Sequence, residues 1–136
     1  MAGATYVLDK TYRVTEPAGI GKYRAVIAGT SDNDVKLPTA ANQLARGITQ
    51  EAQSKLNANV TVRKYGISRA YASGTITKGD YVEIGASDGA LRKADLTTVP
   101  ASATLHHILG MAETSAASGE IFFVFLSPGP VVVPVS

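Results

Sequence analysis

The sequence predicts an all-β protein, a small β-barrel or sandwich built from an approximate internal repeat of hairpins. Segments rich in Val, Ile, Thr and Tyr alternate apolar and polar side chains with the period of two that a half-buried strand needs. Gly, Pro, Asn and Asp separate these segments at short intervals, as is typical of turns between strands. The clearest example is residues 74–93, in which the strand Tyr81–Ile84 is followed by an Asp88-Gly89 hairpin turn and the returning strand Leu91–Lys93.

The composition is that of an ordinary globular chain. Its 136 residues, of which 45% are hydrophobic, suffice for one core without disulfides or a metal, and there is no cysteine to supply either. The net charge of +2 is small and scattered, which argues against binding to nucleic acid or to a membrane surface. We find neither an apolar run of roughly 20 residues nor a secretory signal, and we therefore expect a soluble protein made in the cytosol of its producing cell.

The first half of the chain begins with a predicted N-terminal arm, residues 1–14, because Thr5–Val14 is β-prone but carries Asp and Lys in its middle. Four strands separated by turns are then predicted: Tyr23–Ile27, Val35–Leu37, Leu44–Thr49 and Val60–Lys64, the last continuing to Tyr71. Residues 51–56 contain good helix formers, and for them we predict one short helical turn.

The second half predicts a strand over Leu105–Met111 and another over Ile121–Leu126 after the loop that contains Pro100. The last segment is continuously apolar, so we expect core on one face and either core or a partner on the other. Three prolines then exclude residues 128–136 from a regular central strand, which predicts a Pro/Val-rich C-terminal tail. The single domain is accordingly placed at residues 15–127.

Two parts of this domain, about residues 18–64 and 74–126, match each other approximately. Gly21–Ile27 corresponds to Gly79–Ile84, each is followed by a Ser-Asp turn, and each half ends with a strand. Because the second copy has room only for strands, the match also favours a strand over Leu44–Thr49 in the first copy.

This pattern resembles the capsid cement, or head-decoration, proteins of tailed bacteriophages. The segments that carry the resemblance are Thr77–Ile84, Asp88–Lys93, Ile108–Ala116 and Gly119–Leu126, with a fainter echo over residues 18–64. The resemblance implies a structural capsid decoration protein, not an enzyme, which binds the major capsid protein on the outer surface of an assembled phage head and stabilises it. It also implies a homo-oligomer, most often a homotrimer, located on the virion.

No cofactor, metal or catalytic residue is predicted. The segment Ala18–Lys22 lacks the spacing of a phosphate-binding loop, and Asp32-Asn33-Asp34 lacks the glutamate that a calcium loop needs. Adjacent His106 and His107 on one strand point to opposite faces and do not share an ion, and both are expected to be strand residues near a surface. The basic residues Arg63, Lys64 and Arg69 are interpreted as a solvated strand face.

The candidate functional residues are therefore those of an interaction surface. The apolar strand contributes Phe123 and Phe125, and the two arms, which could add a strand to a neighbouring subunit, contribute Thr5, Tyr6, Val7, Leu8, Val131, Val132 and Val133. Two alternatives remain open: another virion component, such as a head-fibre base or tail-tube subunit, and a carbohydrate-binding β module that uses Tyr65 and Tyr71 as its platform.

Overall fold

A computed structural model describes residues 7–97 and 103–134. These residues contain β-strands and no helix, which confirms the predicted all-β fold. The strands are β1 Leu8–Val14, β2 Ala25–Ala28, β3 Asp34–Lys36, β4 Ala45–Thr49, β5 Asn59–Tyr71, β6 Tyr81–Ile84, β7 Leu91–Lys93, β8 Thr104–Ala112 and β9 Ile121–Val133.

The first five strands close into a small barrel. β1 pairs with β5 in antiparallel fashion and with β3 in parallel, and the ring continues through β2 and β4 back to β5. Side chains that alternate inward along these strands fill the barrel. The interior consists of Tyr12, Val14, Ile20, Val26, Val35, Val60 and Val62.

The second half repeats this arrangement around the C-terminal half of β5. The order β7-β6-β8-β9 follows the same pattern as β3-β2-β4-β5, and residues 66–71 of β5 pair with β9 as β1 pairs with β5. Ala72 then bridges Leu91 in parallel, as Val14 bridges Val35. The long strand β5 is therefore shared by two barrel-like units.

Superposing the two pairing patterns gives each interior residue of the first barrel an equivalent in the second core. The equivalents are, in chain order, Ala70, Ala72, Ile76, Val82, Leu91, Phe122 and Val124. The backbone exchange between Ile20 and Gln53 likewise has its counterpart between Ile76 and Ala116.

Two glycines mark the same bend in both halves. Gly47 lies opposite Val26, and Gly110 lies opposite Val82, each beside an irregularity in strand register. A Cβ on Gly47 would collide with the carbonyl oxygen of Arg63, and one on Gly110 would collide with that of Phe125. The close approach of two backbones therefore requires glycine at both positions.

The structure corrects three expectations. The segment 51–56 forms no helical turn, because Gln53 instead exchanges backbone hydrogen bonds with Ile20. β1 is not an arm from Leu8 onward, since it is paired on both sides and its Tyr12 and Val14 are core residues.

The third correction concerns the tail, which continues β9 as far as Val133. His107 lies opposite Pro130 but donates its N–H to the Asn42 side chain, so this pair is not one of the hydrogen-bonded pairs of the ladder. The nitrogen of Pro130 therefore faces away from β8. Proline is compatible with an edge strand when the missing donor points outward, so the prolines exclude a central strand here but not this pairing with β8 alone.

Candidate interaction surfaces

The strand β9 separates its apolar side chains onto two faces. Phe122, Val124 and Leu126 are buried, whereas Ile121 is 44% and Phe123 is 40% exposed. Six residues of neighbouring strands form one exposed surface, which we call the apolar face: Tyr65, Ile67, Met111, Ile121, Phe123 and Phe125. Within the monomer, the core therefore covers only one face of β9.

Contacts between side chains order the apolar face. Phe125 lies opposite both Ile67 and Met111, and its ring meets that of Tyr65 edge to face, with the centroids 5.5 Å apart. The guanidinium carbon of Arg69 lies 5.3 Å from the centre of the Phe123 ring, a cation–π contact. A preorganised aromatic surface with an arginine at its margin has the composition of the central part of a protein interface.

Arg69 is held from its other side by Tyr23. Its Nη1 donates to the Tyr23 hydroxyl at 3.2 Å, and this bond, together with nearby positive charges, lowers the pKa of Tyr23 against the smaller effect of burial. Arg63 makes a two-point contact with the Asp9 carboxylate, at 2.8 and 3.1 Å. Arg69 is exposed, as expected of a solvated face, whereas Lys64 donates to the hydroxyl of the buried Tyr12 on the other side of β5, so the three cations do not form one face.

The predicted arm residues have different surroundings. Val7 and Leu8 are exposed at the start of β1, and Leu8 lies opposite Tyr65 of the apolar face. Thr5 and Tyr6 lie outside the described residues. At the other end Val131 and Val132 are exposed, but Val133 is buried.

The tail is not free to add a strand to a neighbour, because residues 129–133 already pair with β8. On the opposite edge of β9 lies Pro130, whose nitrogen faces outward and has no hydrogen to donate. Such an edge is protected against strand addition. We therefore drop β-augmentation by the tail as the means of contact and retain Val131 and Val132 as side-chain surface.

A buried polar cluster that the sequence argument missed ties β6, β7 and β8 together. The Glu83 carboxylate is fully buried and accepts hydrogen bonds from Arg92 Nη2 and Nε at 2.7 and 2.9 Å. His106 Nδ1 lies 2.6 Å from the other carboxylate oxygen. His106 is only 8% exposed, so the expectation that it lies near a surface is wrong. The only sequence signal was a glutamate between two apolar residues, opposite an arginine in a hairpin.

The other sequence motifs have structural roles. Asp34, from the segment tested for calcium, is buried and accepts two hydrogen bonds from Arg13, and Gly19 provides a turn against the backbone of Gln53 and Ser54. In the described part of the chain, no group of three acidic or histidine side chains could hold a metal ion. Within the same residues, no helix is long and apolar enough to cross a membrane.

Tyr65 and Tyr71, the candidate carbohydrate platform, lie on β5 in different surroundings. Tyr65 packs against Phe125, and the Arg24 guanidinium carbon lies 4.0 Å from the centre of the Tyr71 ring. Each ring therefore already has a partner within the chain.

No protein-family model and no curated protein matches this sequence. Among solved structures, the chain is similar to the N base of the head fibre protein gp8.5 of bacteriophage phi29, with a TM-score of 0.62 and 17% sequence identity. The similarity covers 90% of this chain and 95% of the phi29 chain. At this identity the comparison establishes a shared fold.

Proposed function

We propose that this protein is a non-catalytic structural component of a tailed-phage virion, which binds the outer surface of the head shell and stabilises it. The observation that carries the proposal is the fold, because its similarity extends over 95% of a solved phage head-fibre base. The resemblance of the turns and strands to capsid cement proteins supports the same location from the sequence side. The partner in this proposal is the major capsid protein of the same particle.

We further propose that the subunits associate with one another, as a homotrimer on the shell. The apolar face supports this proposal, since five of its six side chains are 40–44% exposed and lie on adjoining strands. A contiguous apolar patch of this kind is unusual on a protein that stays monomeric. Phe123 and Phe125 lie at its centre, and Val7 and Leu8 lie at the end of β1 that is nearest to Tyr65.

The test is reconstitution on phage heads that lack this protein. The purified protein should bind at hundreds of copies per particle, as repeated positions on an icosahedral shell require, and should raise the temperature at which the heads release their DNA. A variant with Phe123→Asp should bind with reduced occupancy. Heads that bind no protein, and whose heat resistance does not change, would refute the cement role.

The second candidate function is the base of a head fibre, which the similarity to the phi29 base favours directly. A fibre base would occupy fewer sites, tens rather than hundreds of copies, and would leave the heat resistance of the shell unchanged. Electron microscopy of particles from a deletion strain separates the two functions. Loss of visible fibres from intact heads indicates a base, whereas fragile heads indicate cement.

A further inference from the structure

One mouth of the first barrel is lined by three cationic side chains that converge on Tyr12. The Lys10 and Lys64 ammonium groups lie 5.0 and 5.3 Å from the centre of the Tyr12 ring, and the Arg46 guanidinium carbon lies 5.1 Å from it. Lys64 also donates to the Tyr12 hydroxyl at 2.9 Å and to the backbone carbonyl of Arg46 at 3.2 Å. We call Lys10, Arg46 and Lys64 the cationic mouth.

The strand geometry directs all three residues to this place. Lys10 lies two residues before Tyr12 on β1, and Lys64 lies two residues after Val62 on β5, so both share the inward face of their strands. Arg46 is the extra residue of a β-bulge between β4 and β2. Bulges commonly redirect a side chain beside a functional site.

These cations have no carboxylate partner. No ion pair of the described residues includes Lys10, Arg46 or Lys64, and the nearby Asp9 is engaged by Arg63. In addition, the Nε of Arg46 is buried without a hydrogen-bond partner in the described part of the chain. A buried donor that lacks an acceptor is rare in native structures and often marks the place of a water or an ion.

The second core shows that the fold itself does not require charges here. The positions equivalent to Arg46 and Lys64 are Leu109 and Leu126, both buried in the apolar core. The position equivalent to Lys10 is Ser68, and a small residue, Ala70, replaces Tyr12. One unit thus has leucines at this place, and the other has cations without a carboxylate partner.

We propose that the cationic mouth binds one oxyanion, a carboxylate or a phosphate. Guanidinium and ammonium groups donate their strongest hydrogen bonds to these anions, and such an acceptor could occupy the position that Arg46 Nε lacks. The proposal is independent of the proposed virion function, since its tests use only the isolated protein.

The ionisation of Tyr12 agrees with this electrostatic environment. Burial alone would raise its pKa, but hydrogen bonds from Lys64 and Arg46, and the charges of Lys64 and Lys10, together outweigh burial and lower it. A site that favours a phenolate also favours a bound anion.

The first test follows the arginine Nε–H signals of the intact protein by NMR during titration with sodium phosphate or, separately, sodium acetate. Sodium chloride keeps the ionic strength constant, which removes general screening. We expect a saturable shift of the Arg46 signal, whereas the signal of Arg13, already paired with Asp34, stays unchanged. Tighter binding of phosphate supports free phosphate as the ligand, and tighter binding of acetate supports an acidic side chain of a partner. If neither anion shifts Arg46 more than Arg13, the proposal is wrong.

The second test is the double substitution Arg46→Leu and Lys64→Leu, which places at both positions the residue found at the equivalent positions of the second core. At about twenty times the dissociation constant, phosphate should raise the melting temperature of the native protein by about 4 °C or more. The double variant should fold and lose this rise, while Lys22→Leu, a lysine 5.1 Å from the Tyr23 ring and outside the mouth, should keep it. If the double variant does not fold, the exposed Lys10→Gln substitution replaces it and should weaken binding several-fold. An unchanged rise in the folded double variant, or in Lys10→Gln where it replaces that variant, would overturn the assignment.

Discussion

Replacing Arg92 with alanine should cost much more stability in the native sequence than in a Glu83→Ile background. The Glu83 carboxylate is fully buried, and Arg92 supplies two hydrogen bonds to it. Without the guanidinium, the carboxylate keeps only His106, and breaking a buried pair in this way costs about 3–5 kcal/mol. Because the Arg92 side chain is 44% exposed, water compensates for part of the loss, and we expect about 3 kcal/mol.

The Glu83→Ile change should be milder, because the first barrel has Ile27 opposite Lys36 at the equivalent positions. The substitution removes the buried charge itself and leaves His106 without its acceptor, which costs about 1–2 kcal/mol. In that background Arg92→Ala removes only a half-exposed side chain and should lower the free energy of unfolding by about 0.5 kcal/mol. The coupling energy between the two sites is then about 2.5 kcal/mol.

The assay is urea unfolding of all four proteins, followed by circular dichroism and fitted with a common m-value. Lys93→Ala is the control, because this 63% exposed residue lies 3.9 Å from Asp80 and should contribute about 0.5 kcal/mol or less. Equal costs of Arg92→Ala in both backgrounds would show that the buried cluster has no coupling of the kind derived from its geometry.

Three further predictions concern the surface, the pH dependence and the backbone. Phe123→Asp should shift the protein toward monomers in light scattering without unfolding it, since Phe123 is 40% exposed, and Leu44→Asp, 66% exposed and outside the apolar face, should leave association unchanged. Hydrogen bonds from Arg13 hold the pKa of Asp34 below its ordinary value, partly opposed by burial. A carboxyl with a lowered pKa in the folded state stabilises above its unfolded pKa of about 3.9 and loses this contribution as the pH falls through the folded value, so acid unfolding below about pH 4 should be less steep in Asp34→Asn. Gly110→Ala should lower the free energy of unfolding by about 3 kcal/mol because its Cβ meets the Phe125 carbonyl, while Gly129→Ala, which meets no atom within 4 Å, should be nearly neutral in the same denaturation assay.

Local pattern located most of the strands, because the alternation of apolar side chains and the turn residues are encoded over a few neighbouring positions. The hairpin of β6 and β7 is the clearest case, with Asp88-Gly89 between its strands. Closure of the first barrel was not predictable in this way, since it depends on β1 meeting β5 some fifty residues later. The extension of β9 through Pro128 and Pro130 depends on which side of the strand each nitrogen faces, and only the register fixes that.

The interaction surface was also predicted only in part. The continuous apolar segment indicated that some of its side chains would remain outside the core, and Phe123 does so. Ile67 and Met111 could not be assigned to the apolar face from the sequence, because they join it only through the pairing of β9 with β5 and β8. His106 was misplaced because a histidine beside a second histidine carries no sign of the buried glutamate that faces it from another strand.

The two halves of the chain provide an internal comparison that separates what the fold requires from what it permits. Gly47 and Gly110 are the same residue because both backbones approach a neighbouring carbonyl, so this position is dictated by the fold. Arg46 and Leu109 occupy equivalent bulges, and one is charged whereas the other is apolar, so the fold accepts either. A buried charge is less favourable than leucine at such a place unless something pairs with it. An acceptor from outside the described chain would offset the cost that the first barrel carries for Arg46. An anion bound at the site and the Arg46→Leu substitution should therefore each raise the stability, and the anion should stabilise the variant less than the native protein.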